Sequence, residues 1–253
     1  MKIYKIIFSP TGGTKKVADF LANELGLNIT GIDLSDSNES LYKFSLKNED
    51  IAIIAVPSYS GRVPATAAER ISRIQGNGAK AIIVCVYGNR AYEDTLVELQ
   101  DIVQKKGFSV VSAVAAIAEH SIAHKYAKDR PDKDDSRLLK EFAGKINEKL
   151  KKQDFSTPEI PGNRPYRKVG NAGIVPKPTK ACTKCGLCVF RCPVGAIDKN
   201  NPAKVNKKAC ISCMRCVSVC PHQARKINGL LLAIVNMMLK KTCSIRKECE
   251  LYI

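Results

Sequence analysis

Residues 2–25 read KIYKIIFSPTGGTKKVADFLANEL, and this stretch decides the fold of the first half of the chain. Positions 3–8 form an apolar run of strand length. The run ends in Ser9-Pro10-Thr11-Gly12-Gly13-Thr14, a turn-forming string, and over 14–25 apolar residues then recur at spacings of three and four, as in an amphipathic helix. The same unit repeats. Further strand-like runs lie at 28–34, 51–56, 81–87 and 108–117, with helical patterns at 64–74, 92–105 and 138–150. Such alternation builds a parallel sheet covered by helices on both faces. Five strands in about 150 residues predict an α/β, doubly wound five-stranded sheet, with ligands outside the carboxyl ends of its strands.

Outward from this stretch the composition changes. The 253 residues are 45% hydrophobic and 26% charged, which excludes disordered, collagen-like and membrane-spanning classes. Lys and Arg number 41 against 24 acidic residues, for a net charge of +17, and there are 11 cysteines. Both excesses are local. Residues 1–155 hold 23 basic and 20 acidic side chains and one cysteine, Cys85, whereas 156–253 hold 18 basic and 4 acidic side chains and the other ten cysteines. We therefore expect a domain at 1–152, a linker at 153–178 containing Pro158, Pro161, Pro165, Pro176 and Pro178, a small α+β domain at 179–229, and an apolar helix with a charged tail at 230–253. The apolar run 230–239 is too short to cross a bilayer, which takes about 18 residues or more, and is expected to pack against one of the domains. No secretory signal precedes the first strand, so a cytoplasmic location is expected; thiols there stay reduced, and clustered cysteines read as metal ligands rather than disulfides.

The cysteines repeat with a period of 28. Cys182, Cys185, Cys188 and Cys192 precede Pro193, and Cys210, Cys213, Cys216 and Cys220 precede Pro221. Each copy is C-x2-C-x2-C-x3-C-P, a bacterial iron–sulfur run in which the fourth cysteine ligates the other cluster. One 4Fe-4S cluster is then expected on Cys182, Cys185, Cys188 and Cys220, the other on Cys210, Cys213, Cys216 and Cys192. Structural zinc, the competing reading, uses paired ligands with a longer spacer between the pairs. Residues 179–229 resemble the bacterial two-cluster ferredoxins, including Pro193-Val194-Gly195-Ala196-Ile197 after the first run.

The glycine-rich turn opens a helix, where free backbone N–H groups and the helix dipole favour an anion. It fits neither G-x-x-x-x-G-K-S/T nor G-x-G-x-x-G. It resembles the flavodoxin phosphate loop, with Ser9, Thr11, Gly12, Gly13 and Thr14 at the matching positions. That resemblance implies FMN and two further loops around its ring, here Pro57-Ser58-Tyr59-Ser60-Gly61 and Tyr87-Gly88-Asn89-Arg90, with Tyr59 the first stacking candidate and Tyr87 or Tyr92 the second. Arg90 would place a positive charge near the ring. The chain over about 1–230 thus resembles the flavodoxin–ferredoxin fusion proteins of anaerobes. The resemblance implies electron transport: single electrons passing between two 4Fe-4S clusters and FMN. A flavin-dependent reductase of a small oxidant, such as a quinone or disulfide, is the alternative.

Glu119-His120-Ser121 follows the fifth strand, as in similar fusion proteins, and marks His120 as a candidate catalytic residue at the flavin edge; His124 lacks a third metal ligand. Cys85 reads as core packing, and Cys243 and Cys249 as free thiols, with an extra ligand pair the alternative. The basic second half permits nucleic-acid binding by charge alone, but only Tyr166 and Phe190 interleave aromatics with it and no binding motif is found, so no nucleic-acid partner is expected. The charge points to redox protein partners, acidic at the ferredoxin end. A homodimer is allowed.

Overall fold

The computed structural model describes all residues except 27–28, 39–41, 169 and 171. Its sheet runs β1 (Ile3–Ile7), β2 (Ile29–Asp33), β3 (Ile51–Pro57), β4 (Lys80–Tyr87) and β5 (Ser109–Ile117), ordered 2-1-3-4-5 in space and all parallel. That order is the flavodoxin-like one, with its crevice where the winding reverses between β1 and β3. The expected first residue of β2, Asn28, lies outside the described residues.

Alternate strand residues feed two cores. Ile7, Ile53, Ile82, Val84 and Val114 pack under α1 (Gly13–Leu25) and α4 (Lys133–Lys151) through Val17, Leu21, Leu139, Phe142 and Ile146. Phe8, Ile54, Val56, Ile83 and Cys85 pack on the other face under α2 (Ala65–Ile71) and α3 (Thr95–Gln104). Cys85 is fully buried, and burial pushes its thiol up, as packing requires. Helix α4 starts at Lys133, before its apolar stripe, because Asp132 and Asp135 form a reciprocal cap over its first turn.

The described residues of 153–176 contain no helix or strand, yet they are strapped down. Asp94 accepts from the Asn163 backbone N–H at 2.8 Å and the Arg167 N–H at 2.7 Å, Arg164 pairs with Asp101 at 2.6 Å, and Ile160 packs on the core. Beyond the strap, β6 (Lys177–Pro178) pairs with β7 (Arg225–Lys226) and encloses two one-turn helices, α5 (Leu187–Phe190) and α6 (Arg215–Ser218).

The C-terminal segment meets the sheet domain through a helix and a strand. Helix α7 (Gly229–Cys243) buries only one stripe: Val235, Leu239 and Cys243 meet Ala123 and Tyr126, while Leu230, Met237 and Met238 stay exposed because nothing described faces them. The tail then returns to the sheet. There β8 (Glu250–Tyr252) pairs antiparallel with β5, so the five parallel strands gain a sixth at that edge. Arg130, buried with Asp135, donates to the Lys247 carbonyl at 2.8 Å, and Arg246 reaches Asp132 at 2.7 Å.

Candidate functional site: a loop crevice beside two cysteine-lined cavities

The crevice is built from the carboxyl ends of β1, β3, β4 and β5. After β1, the Ser9 N–H donates to Ser35 Oγ at 2.7 Å, and Ser9 Oγ accepts from the Lys15 N–H at 2.9 Å, which folds the turn back over the start of α1. Gly12 has φ +93°, a left-handed conformation, and as the residue before α1 it supplies no side-chain cap of its own. Among the described residues, the N–H groups of Gly13 and Thr14 have no acceptor. A Cβ at position 13 would stand 3.0 Å from that of Ala118, so the turn is pressed against the end of β5. Uncapped donors at a helix start form a phosphate-sized anion cradle, so this loop fits the phosphate of an FMN.

After β3, Tyr59 and Arg62 exchange backbone hydrogen bonds of 3.0 and 3.2 Å around Ser60 and Gly61, both at positive φ. Ser58 Oγ lies 2.7 Å from Thr95 Oγ1, and Glu98 anchors Arg62 and the Val63 N–H, so Pro57 to Gly61 sit on a braced turn. Tyr59 is half-buried. Burial first, and then the nearby Cys213, push its phenol well above the ordinary value.

The loop after β4 divides its residues between two tasks. Tyr87 is buried, its ring 5.3 Å from that of Tyr92, and Gly88 lies so close to His120 that a Cβ would stand 2.6 Å from the ring. Asn89, Arg90 and Tyr92, expected at the flavin, have their side chains bonded to neighbouring backbone and tail. Asn89 donates to the carbonyls of Cys243 and Ile245 at 2.9 and 2.8 Å, Arg90 pairs with Glu93 at 2.6 Å, and the Tyr92 hydroxyl donates to Glu250 at 2.6 Å. His120 Nδ1 accepts from the Ile122 and Ala123 N–H groups at 3.2 and 3.1 Å, which places the ring proton on Nε2. Burial holds its pKa down at about 4, so it is neutral at pH 7.

The cysteine repeat is also a repeat of backbone. Lys184 and Ser212, Gly186 and Met214, and Gly195 and Gln223 are each 28 residues apart, and all six are left-handed. In both copies the backbone donates to the fourth cysteine: the Ala196 N–H to Cys192 Sγ, and the Ala224 N–H to Cys220 Sγ, each at 3.3 Å. Two cavities result. One is lined by Cys182, Cys185, Cys188 and Cys220, the other by Cys192, Cys210, Cys213 and Cys216. These are the crossed sets that the spacing predicts. Burial pushes Cys213 up to about 11 and Cys216 up to about 12, so iron binding has to displace their protons. Four thiols around a cavity, with backbone N–H groups turned to sulfur, fit a 4Fe-4S cube.

Three arginines that sequence reasoning missed occupy this region. Arg70 donates to the carbonyls of Leu34 and Pro193, each at 2.6 Å, and so joins the sheet domain to the cysteine module. Arg215 lines the second cavity and reaches the Ser9 carbonyl at 3.5 Å. Arg225 lines both cavities. No local pattern marks them, because each role depends on what lies opposite in space.

The strand order and the doubled four-cysteine cavities define the class: a flavodoxin-like domain joined to a 4Fe-4S ferredoxin-type domain. Residues 180–225 match the 4Fe-4S dicluster domain family, Fer4_9. Among solved structures, a flavodoxin of Streptococcus pneumoniae TIGR4 is 21% identical, over 58% of this chain and 99% of its own, with a TM-score of 0.41. A Fusobacterium nucleatum flavodoxin bound to flavin mononucleotide is 19% identical, over 60% of this chain and 99% of its own, at 0.40. The rubredoxin oxygen:oxidoreductase of Desulfovibrio gigas is 16% identical, over 60% of this chain and 36% of its own, at 0.43. No curated protein matches the chain. Among the described residues no helix is long and apolar enough to cross a membrane.

Proposed function

We propose that the protein is an electron-transfer iron–sulfur flavoprotein that passes single electrons between two 4Fe-4S clusters and FMN. The observation that carries this reading is the wall between the second cavity and the crevice. Arg215, which lines that cavity, reaches the Ser9 carbonyl of the expected phosphate loop at 3.5 Å, and Ile211, which lines it too, packs against the core of the sheet domain. The Cys192, Cys210, Cys213, Cys216 set is therefore the inner one. The Cys182, Cys185, Cys188, Cys220 set is the outer one, since Cys185 is exposed.

When bound, the clusters and the flavin supply the one-electron chemistry. The protein's own residues supply the frame. Gly13 and Thr14 would offer backbone donors to the phosphate, the Tyr59 turn an aromatic side chain to the ring, and His120, after β5, a neutral Nε2–H. Exposed Lys180, Lys184, Arg191 and Lys226 belong to the module that holds the outer cavity. They suit an acidic redox partner by charge complementarity.

The test is anaerobic purification with iron, sulfide and flavin counted on one sample. About eight iron, eight sulfide and one FMN per chain are expected. Iron without flavin would reduce the reading to a ferredoxin with an empty sheet domain, and stoichiometric zinc would overturn it. Stopped-flow mixing then separates carrier from reductase: flavin reduction by a reduced ferredoxin that is fast, and by NAD(P)H that is slow, identifies the carrier.

A further inference from the structure

Arg225 is 2% exposed and lies on the shared wall of the two cysteine cavities. Its guanidinium donates to the Pro176 carbonyl at 3.1 Å and to the Pro202 carbonyl, and its Nε–H is buried with no acceptor. Among the described residues no carboxylate pairs with it, in contrast to Arg130 on Asp135 and Arg62 on Glu98. Arginine stays charged at any pH the fold survives. A buried charge with two carbonyls and no counter-ion is poorly compensated, and a buried donor without an acceptor adds to that cost. The negative charge that this position could meet is that of the two thiolate-ligated clusters on either side.

We propose that Arg225 is the common counter-charge of the two clusters, a positioning residue that sets both reduction potentials together. The inference rests on the two-cluster reading and adds to it a named residue and a direction. A fixed positive charge beside a cluster favours the more negative, reduced form and so raises its potential. Because one side chain lines both cavities, it acts on the inner and outer clusters alike. A lysine on the protein surface beside one cavity would instead act mainly on its own cluster, through solvent.

The experiment uses the full-length protein purified anaerobically, with EPR-monitored redox titration of each cluster. Wild-type iron is counted first: a value far from eight per chain defeats the two-cluster reading itself, whatever Arg225 does. With eight iron present, Arg225→Met and Arg225→Gln are expected to lower both cluster potentials, and Arg225→Lys to leave both close to wild type. Potentials that do not move in Arg225→Met, a shift confined to one cluster, or Arg225→Lys shifting as far as Arg225→Met would each overturn the proposal. If the two neutral variants fail to hold iron while Arg225→Lys holds eight, the charge is required for cluster retention and the proposal stands. If Arg225→Lys also fails to hold iron, the residue acts through its bonds to Pro176 and Pro202, and the proposal falls.

Discussion

His120 combines a fixed tautomer with a depressed pKa, and the two together make a pH signature. Its folded-state value of about 4 lies below the ordinary 6.5, so between those values the unfolded chain binds more protons. Its contribution to stability is complete above pH 6.5 and is lost as the pH falls toward 4. Thermal melts across this range should show His120→Gln lacking that part of the decline; parallel profiles would contradict the assignment. Gly88 makes a second prediction. Gly88→Ala drives a Cβ into the His120 ring, so bound flavin should fall while iron content holds. Single residues were legible in the sequence where chemistry is spelled consecutively. The eight cysteines of the two runs sit at fixed intervals, those of a bacterial iron–sulfur run whose fourth ligand crosses to the other cluster. Arg215 stands inside the second cysteine run and Arg225 just after it, yet nothing in the run tells what either guanidinium meets in space. Asn89 and Tyr92 have residue types that suit a flavin loop, and only the tail lying against them shows what their polar groups hold.

Among the elements, the five parallel strands and the main helices were legible because the apolar period switches cleanly between continuous runs and a repeat of 3.6. The start of α4 was not, since its first turn is polar; the signal lay in Asp132 and Asp135, a cap rather than a stripe. Strand β8 was hidden for another reason. Three residues are too few to show a period, and what makes them a strand is the open edge of β5 more than 130 positions away. That edge pairing depends on a buried ion pair. Arg130→Met takes the buried guanidinium from Asp135, leaving it Arg246 at 3.6 Å and the Asp132 N–H, and frees the Lys247 carbonyl. Denaturant titration should show a loss of about 1.5–3 kcal/mol, that of hydrogen bonds to a charged group. The exposed side of α7 should behave oppositely: Met237→Gln with Met238→Gln should stay within about 0.5 kcal/mol of wild type.

Over the whole molecule, the halves differ in charge as the composition foretold, and the proposed cofactors change its meaning. Two oxidised clusters with four thiolates each, together with an FMN phosphate, bring several negative charges to the basic side. What remains exposed near the outer cavity is lysine and arginine. If an acidic partner docks there, its second-order rate of exchange should fall steeply with added salt, and Lys184→Glu should lower that rate without changing flavin content. Proline and glycine mark 153–178 as a linker; what composition does not show is that Asn163, Arg164 and Arg167 bind Asp94 and Asp101, bonds across more than 60 positions that are invisible to a local count.

That strap and the returning β8 give the cysteine module two moorings on one sheet. A carrier held by a single tether must swing to bring donor and acceptor together, and viscous solvent slows it. Here Arg70 on the Pro193 carbonyl and Arg215 on the Ser9 carbonyl tie the inner cavity to the sheet domain, so transfer between the halves should proceed at the same rate in buffer and in concentrated glycerol.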